Sequence, residues 1–386
     1  MIYKMIKKIS NMFHIGKGNN KDDVFSLKTE GYFKGTALLS YIKEAVNCDG
    51  EAPCLKNHSN FWECREIANV FVKLGYNVDV CNWDCDVANP KKYDVIFDIH
   101  QKIGNERYSK IPIKILYITG SYPKYQNKRA RERVQDFNAR HEAGYAFFRE
   151  ADEESFDKSL NAATYLMLIG NEHTKLTFPS DVVGRMCCVP VTSSPLPCIK
   201  DEKSYVPPEK EFLFFSGVGA VHKGLDLVLQ AFLKHPEYKL NIVGDFSEEN
   251  FLSVYDVQMK NLKNVHYYGF LTPESEAFKQ IVSRCFCYVF PSCSEGTSAA
   301  AITALSIGMY PILSSDSGVD LPKGKGVVLE NLNVESIEQA IKKVFDMPKE
   351  ELVEQIRCVQ EKILKEHSRR AFSETITKCL GEALKK

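Results

Sequence analysis

The stretch SGVGAVHKGLD, residues 216–226, ends an apolar run that starts at Phe212 and leads into an apolar helical face of Leu225, Val228, Leu229, Phe232 and Leu233. Ser216, Gly217, Gly219 and Lys223 are residue types suited to holding a phosphate. Backbone N–H groups at the start of a helix point at an anion, glycine permits close approach, and an ammonium adds a full positive charge. The spacing fits neither familiar cradle. A dinucleotide fingerprint would need its third glycine two positions before Gly224, and a P-loop needs Gly before Lys, whereas Lys223 precedes its glycine. Asp226 falls in the first helical turn, where a carboxylate favours the dipole and can cap. The plain alternative is a Gly-rich strand-to-helix turn with a solvated lysine.

A second candidate lies downstream. Pro291 and Ser292 end a strand-like run, and Glu295, Gly296, Thr297 and Ser298 lead into a small-residue helix over residues 299–307. Amides at 296–298 offer another anion or hydroxyl site, and Glu295 can accept from the hydroxyls of a polyol. Here the alternative is a helix N-terminus whose acidic residue complements the dipole.

The elements that must position these residues follow from periodicity. Apolar runs without polar alternation suit buried parallel strands, and they occur at 93–99, 113–118, 163–169, 212–215, 240–243, 287–290 and 310–313. Helical periodicity fills the gaps at 61–74, 128–140, 225–233, 273–283 and 334–345. Polar and glycine residues stand at the strand ends: His100, Thr119-Gly120-Ser121, Gly170-Asn171, Ser216-Gly217, Gly244-Asp245 and Ser292 to Ser298. In a parallel sheet those ends point one way, and ligands bind in the crevice outside them. The expected fold class is α/β, with two Rossmann-like doubly wound domains facing one cleft. Such a cleft suits an enzyme that joins two substrates. Prolines 190, 195, 197, 207 and 208 mark a linker. The expected division is 24–190 for the first domain, 191–210 for the linker, 211–365 for the second domain and 366–386 for a C-terminal helix. That helix carries Phe372, Ile376, Cys379, Leu380 and Leu384 on one face, to be buried on its own domain or back across the linker.

Composition sets bounds. The 386 residues are 44% hydrophobic and 26% charged, with 50 basic and 50 acidic side chains, so no global field points to nucleic acid. The 13 cysteines show no paired spacing, which suits reduced thiols in a cytosol and no metal site. No apolar run reaches the ~18–20 residues of a membrane span. Residues 1–23 form a basic extension in which Ile2, Met5, Ile6, Ile9 and Phe13 oppose Lys4, Lys7 and Lys8. Residues 1–13 are thus written like a helix on an anionic membrane surface, with a frayed extension as the alternative.

Lys223-Gly224-Leu225-Asp226, then Pro291-Ser292-x-x-Glu295-Gly296, then Gly308-x-x-Pro311-Ile312 resemble the C-terminal domain of GT-B glycosyltransferases of family 4 (group 1), over about residues 211–345. The first half resembles a polysaccharide-biosynthesis branch of these enzymes in His58-Ser59-Asn60-Phe61-Trp62-Glu63, in Thr119-Gly120-Ser121 before an Arg-rich helix, and in Gly170-Asn171-Glu172. The resemblance implies a GT-B glycosyltransferase, retaining and metal-independent, taking a UDP- or GDP-sugar as donor and no other cofactor. The acceptor would be a glycan or lipid-linked glycan, met by residues 31–63 and 119–149, at the cytoplasmic, inner face of the membrane. Lys223 would bind the diphosphate, Glu295 the donor-sugar hydroxyls, and His100 would sit beside the reacting sugar. Ser216, Gly217, Gly219, Gly244, Ser292, Gly296, Thr297, Ser298 and Thr303 would complete the donor site.

Two positions depart from the family pattern. Val218 stands where an arginine serves the diphosphate, and Thr303 stands where a glutamate holds both ribose hydroxyls. Each lost charge-assisted bond is worth ~1.5–3 kcal/mol. His222, Arg131, Arg133 and Arg149 are candidates to compensate. Two other readings remain: a nucleotide-sugar epimerase on the same fold, and a non-catalytic GT-B subunit that scaffolds a partner enzyme.

Overall fold

The computed structural model describes residues 24–49, 52, 55, 59–146, 150–193 and 199–385. The basic extension 1–23, His58, Arg149 and linker prolines 195 and 197 lie outside the described residues.

The first sheet is built from β1 (Phe25–Leu27), β2 (Gly35–Tyr41), β3 (Tyr76–Asn82), β4 (Val95–Asp98), β5 (Ile113–Ile118), β6 (Tyr165–Ile169) and β7 (Met186–Val189). Their order is β1-β3-β2-β4-β5-β6-β7. All neighbours are parallel except β1, which runs antiparallel to β3 at the edge. The second sheet holds β8 (Glu211–Phe215), β9 (Leu240–Val243), β10 (Val265–Tyr267), β11 (Cys285–Phe290), β12 (Tyr310–Ser314) and β13 (Val327–Leu329). It is wholly parallel, in the order β10-β9-β8-β11-β12-β13. Strands β4, β5, β6, β8, β9, β11 and β12 are the unbroken apolar runs, since both faces of these sheets are covered by helices.

Strand β3 shows why one central strand escapes a sequence reading. Its Asp79 is 6% exposed in the middle of the strand. Lys92 pairs with this carboxylate at 2.7 Å, Tyr93 donates to it at 2.9 Å and Ser26 at 2.6 Å. The buried charge interrupts the apolar run, and partners far away in sequence satisfy it.

The C-terminal helix, Arg369–Ala383, crosses back to the first domain. Phe372, Ile376, Cys379 and Leu380 are fully buried. The Phe372 ring meets Trp62 edge-on at 5.8 Å, and Tyr165 donates to Glu382 at 2.9 Å. Cys379 is joined to Cys187 of β7 as a disulfide. This corrects the expectation of uniformly reduced thiols: the partners are 192 residues apart, so no local spacing announces them. No described helix is long and apolar enough to cross a membrane.

Glu63, on the helix Ser59–Lys73, anchors the start of the connection between the domains. One of its oxygens accepts from the Thr192 amide at 2.7 Å and from the Thr192 hydroxyl at 2.9 Å. Burial pushes its carboxyl up to about 7, against the opposing pull of the Thr192 bonds. A raised carboxyl pKa means the folded state holds a proton that the unfolded state releases above pH 4.5, so stability falls as pH rises from about 4.5 to 7. Between pH 4.5 and pH 8, wild type should lose about 3 kcal/mol relative to Glu63→Gln, measured by denaturant unfolding at both values.

Candidate functional site

Each sheet order reverses once, between β2 and β4 in the first domain and between β8 and β11 in the second. The crevice of an open parallel sheet lies outside the strand ends at such a switch point. His100 follows β4, the Lys223 loop follows β8, and the Glu295 loop follows β11. Topology therefore places the candidate residues at both switch points.

In the second domain, Lys223 Nζ is ion-paired with Glu295 Oε1, with the side chains 8% and 12% exposed. Ser292 Oγ donates to the same carboxylate oxygen at 2.5 Å. The ammonium also lies 5.7 Å from the centre of the Phe290 ring. Gly224 allows this meeting of loops. It caps the helix Leu225–Lys234 in a left-handed conformation, φ 77°. A Cβ on it would lie 2.5 Å from the Pro291 carbonyl oxygen. The glycine of the Lys-Gly pair thus lets the β8 and β11 loops touch.

The rest of the β8 loop is tied down by its own chain. Gly219, at φ 107°, turns its N–H toward one oxygen of Glu248 at 2.7 Å, and the Ala220 N–H reaches the same oxygen at 3.2 Å. The Ser216 amide donates to Val243, and a Cβ on Gly244 would lie 2.3 Å from the Ser216 carbonyl oxygen. Gly217 is exposed, with open space around its Cα. His222 Nε2 donates to the Ser294 carbonyl at 2.7 Å, while Nδ1 faces the Cys293 sulfur at 3.6 Å. A carbonyl can only accept, so the Nε2 proton is fixed, and His222 ties the loops after β8 and β11 together. Burial pushes the Cys293 thiol up to about 12, which leaves it inert as a nucleophile.

The β11 loop presses against the first domain. A Cβ on Gly296 would lie 2.4 Å from the Ile169 carbonyl oxygen and 3.0 Å from that of Thr119. Ser294 and Ser121 share a hydrogen bond across the domains, and Thr174 donates to the Gly296 carbonyl at 3.2 Å. Thr297 donates to the Gly318 carbonyl at 3.1 Å, the Ser298 amide donates to Ser317 at 3.0 Å, and Ser298 Oγ caps the Ala301 amide. Thr303 is buried within the helix Ala299–Ile307.

In the first domain, the His100 ring lies 4.3 Å from the Trp83 ring, centre to centre. Its Nε2 is buried with no hydrogen-bond partner among the described residues. Burial holds its pKa below the ordinary value, only partly opposed by Asp98, so the imidazole is neutral at pH 7.

The arginines expected near Val218 have other partners. Arg133, on the helix Pro123–His141, grips Asp226 at 2.7 and 2.8 Å, and Arg140 of the same helix joins that carboxylate. Arg131 pairs at the surface with Glu150. Asp226 is fully buried and binds the opposite domain; the cap of its own helix is Gly224. Nearby, Asp316 accepts from Tyr125 at 2.7 Å and His173 at 3.0 Å and faces Arg129 at 3.5 Å. Sequence reasoning passes over Glu248 and Asp316, which lie in loops with no periodic or spacing signal. Asp226→Asn would leave Arg133 and Arg140 at the domain interface with Asp136 of their own helix as the carboxylate they share, a loss of about 3–5 kcal/mol in unfolding free energy by chemical denaturation.

Residues 199–358 match the family model for glycosyl transferases group 1. Among curated proteins, none is similar to the chain in sequence. Sucrose-phosphate synthase from Thermosynechococcus elongatus superposes with a TM-score of 0.61 at 13% identity, covering 91% of this chain and 99% of that one. The apo lipopolysaccharide outer core galactosyltransferase WaaB gives 0.55 at 12% identity, covering 90% and 99%. TarM gives 0.53 at 15% identity, covering 76% of this chain and 55% of its own, so the present chain spans about half the length of TarM.

Proposed function

We propose, for a chain whose residues 199–358 form a glycosyl transferases group 1 domain and whose two sheets make the GT-B fold, transfer of a sugar from a nucleotide-diphosphate sugar to a hydroxyl group. The donor is a UDP- or GDP-sugar, and the acceptor a glycan or lipid-linked glycan reached from the cytoplasmic face of the membrane. The observation that carries this reading is the enclosed Lys223–Glu295 pair, formed where the loops after β8 and β11 meet at a helix start.

The chemistry of transfer explains such a pair. The bond from the anomeric carbon to the diphosphate oxygen breaks with its electron pair leaving on that oxygen, a bond from that carbon to the acceptor oxygen forms, and the acceptor hydroxyl's proton passes to the leaving diphosphate. Negative charge grows on the leaving diphosphate, where the Lys223 ammonium and the N-terminal dipole of the helix Leu225–Lys234 stabilise it. As Lys223 turns to phosphate, Glu295 is released to accept from sugar hydroxyls. Each partner keeps the other desolvated and oriented until the donor arrives. His100, neutral at pH 7, can face the sugar from the first domain without repelling the positive charge that develops at the anomeric carbon. Those groups supply the charge compensation of a transfer that retains configuration and needs no metal. The fold shared with a lipopolysaccharide galactosyltransferase supports a surface-glycan acceptor.

Lys223→Ala and Glu295→Gln should each lower kcat by about 100-fold or more, the scale of losing one preorganised electrostatic contact. Full transfer by either variant with its proper donor would sink the site assignment. A thermal-shift series with UDP, GDP and other nucleotides should raise the melting temperature for one base. No response to any of them at millimolar concentration would favour the scaffold subunit.

A further inference from the structure

The anion-binding groups at the mouth of the second sheet are already engaged, and the chain's own carboxylates engage them. Lys223 holds Glu295. One turn earlier, the consecutive amides of Gly219 and Ala220 converge on one oxygen of Glu248, at 2.7 and 3.2 Å. Two successive N–H groups aimed at a single point, with the first residue at positive φ, form an anion-binding nest of the kind that takes a phosphate oxygen. Glu248 comes from the loop after β9, the strand beside β8 in the same sheet, just ahead of the helix Glu249–Asn261.

Glu248 is poorly suited to a purely structural clamp. Its second oxygen, Oε2, is buried with no hydrogen-bond partner among the described residues. Burial raises its pKa, Asp245 adds to that, and the two amides oppose it. An amide or hydroxyl in its place would tie the loops at lower electrostatic cost. What a carboxylate adds is negative charge at the nest.

We propose that Glu248 is an internal stand-in for a donor phosphate: a diphosphate entering the crevice displaces its carboxylate from the Gly219 and Ala220 amides. The strength of that internal contact then sets how tightly the chain holds a diphosphate. The inference rests on the reading that the β8 loop receives the donor's diphosphate. It adds a residue that competes with the donor, alongside those that bind it.

Two full-length variants separate competition from clamping. Glu248→Gln keeps the length and an oxygen acceptor but removes the charge. Glu248→Asp keeps the charge but draws it back from the amides. Inorganic pyrophosphate, UDP and GDP are titrated calorimetrically into each, with the unliganded melting temperature recorded for all three proteins. Both variants should bind pyrophosphate about tenfold more tightly than wild type. Should Glu248→Gln fail to fold, Glu248→Asp carries the comparison alone. Pyrophosphate affinity equal to or below that of wild type, in a variant that melts normally, overturns the proposal. Tighter pyrophosphate binding with no nucleoside diphosphate recognised by any form would keep this inference and remove the nucleotide-sugar reading. UDP or GDP binding of equal strength in wild type and variants would do the reverse.

Discussion

A single buried carboxylate, Asp226, holds the two domains in the arrangement on which the site depends. It has no solvent exposure, and its charge is tolerated only because Arg133 and Arg140 reach it from the other domain. The helix Pro123–His141 that carries those arginines also places Phe137 against Phe251 and lets His141 meet the Tyr255 hydroxyl at 2.8 Å. The first domain thereby docks on two helices of the second, Leu225–Lys234, which follows the Lys223 loop and carries Asp226, and Glu249–Asn261, which carries Phe251 and Tyr255. Hydrophobic contact supplies area and the ion pairs supply register, because a slide along the helix would strand a buried charge.

Two close approaches shape the seam, at Gly224 within the second domain and at Gly296 across the docked domains. Each is a place where a side chain would collide with a carbonyl oxygen, of Pro291 in one case and of Ile169 in the other. The first lets two loops of one domain bring cation and carboxylate together. The second lets the Glu295 loop rest on the strand ends of the opposite sheet. The site is a seam between strand ends, and its polar groups are engaged by the chain itself: Lys223 by Glu295 and the Gly219 and Ala220 amides by Glu248 within the second domain, Arg129 and His173 of the first domain by Asp316 of the second. A ligand there exchanges partners with the protein and does not fill a bare pocket.

Much of this was legible in the chain. β5 and β9 appear with the bounds that their apolar runs imply, and the helix Val334–Phe345 does too. Strands β1, β2, β3, β7, β10 and β13 were not legible. β1, β10 and β13 are edge strands of three residues, too short for periodicity to register, and β3 hides a charge that Lys92 and Tyr93 satisfy. Lys223 and Glu295 were readable as chemistry because their residue types and glycine neighbours carry meaning by themselves. Glu248 was not, because a glutamate ahead of a helix looks the same whether it faces solvent or a nest of amides 28 residues away.

The sequence by itself determined the parallel α/β architecture, the strand ends at which function gathers, and the two loops that hold Lys223 and Glu295. Those depend on local period and turn chemistry, whose range is a few residues. Only the tertiary structure decided which acid meets which base. Arg133 reads as a spare charge for a diphosphate and is spent on Asp226, while the Phe372 stripe leaves two homes open and settles on the first domain beside Trp62. Pairing of that kind is set by long-range packing, in which a buried charge takes the partner that the fold brings within about 3 Å.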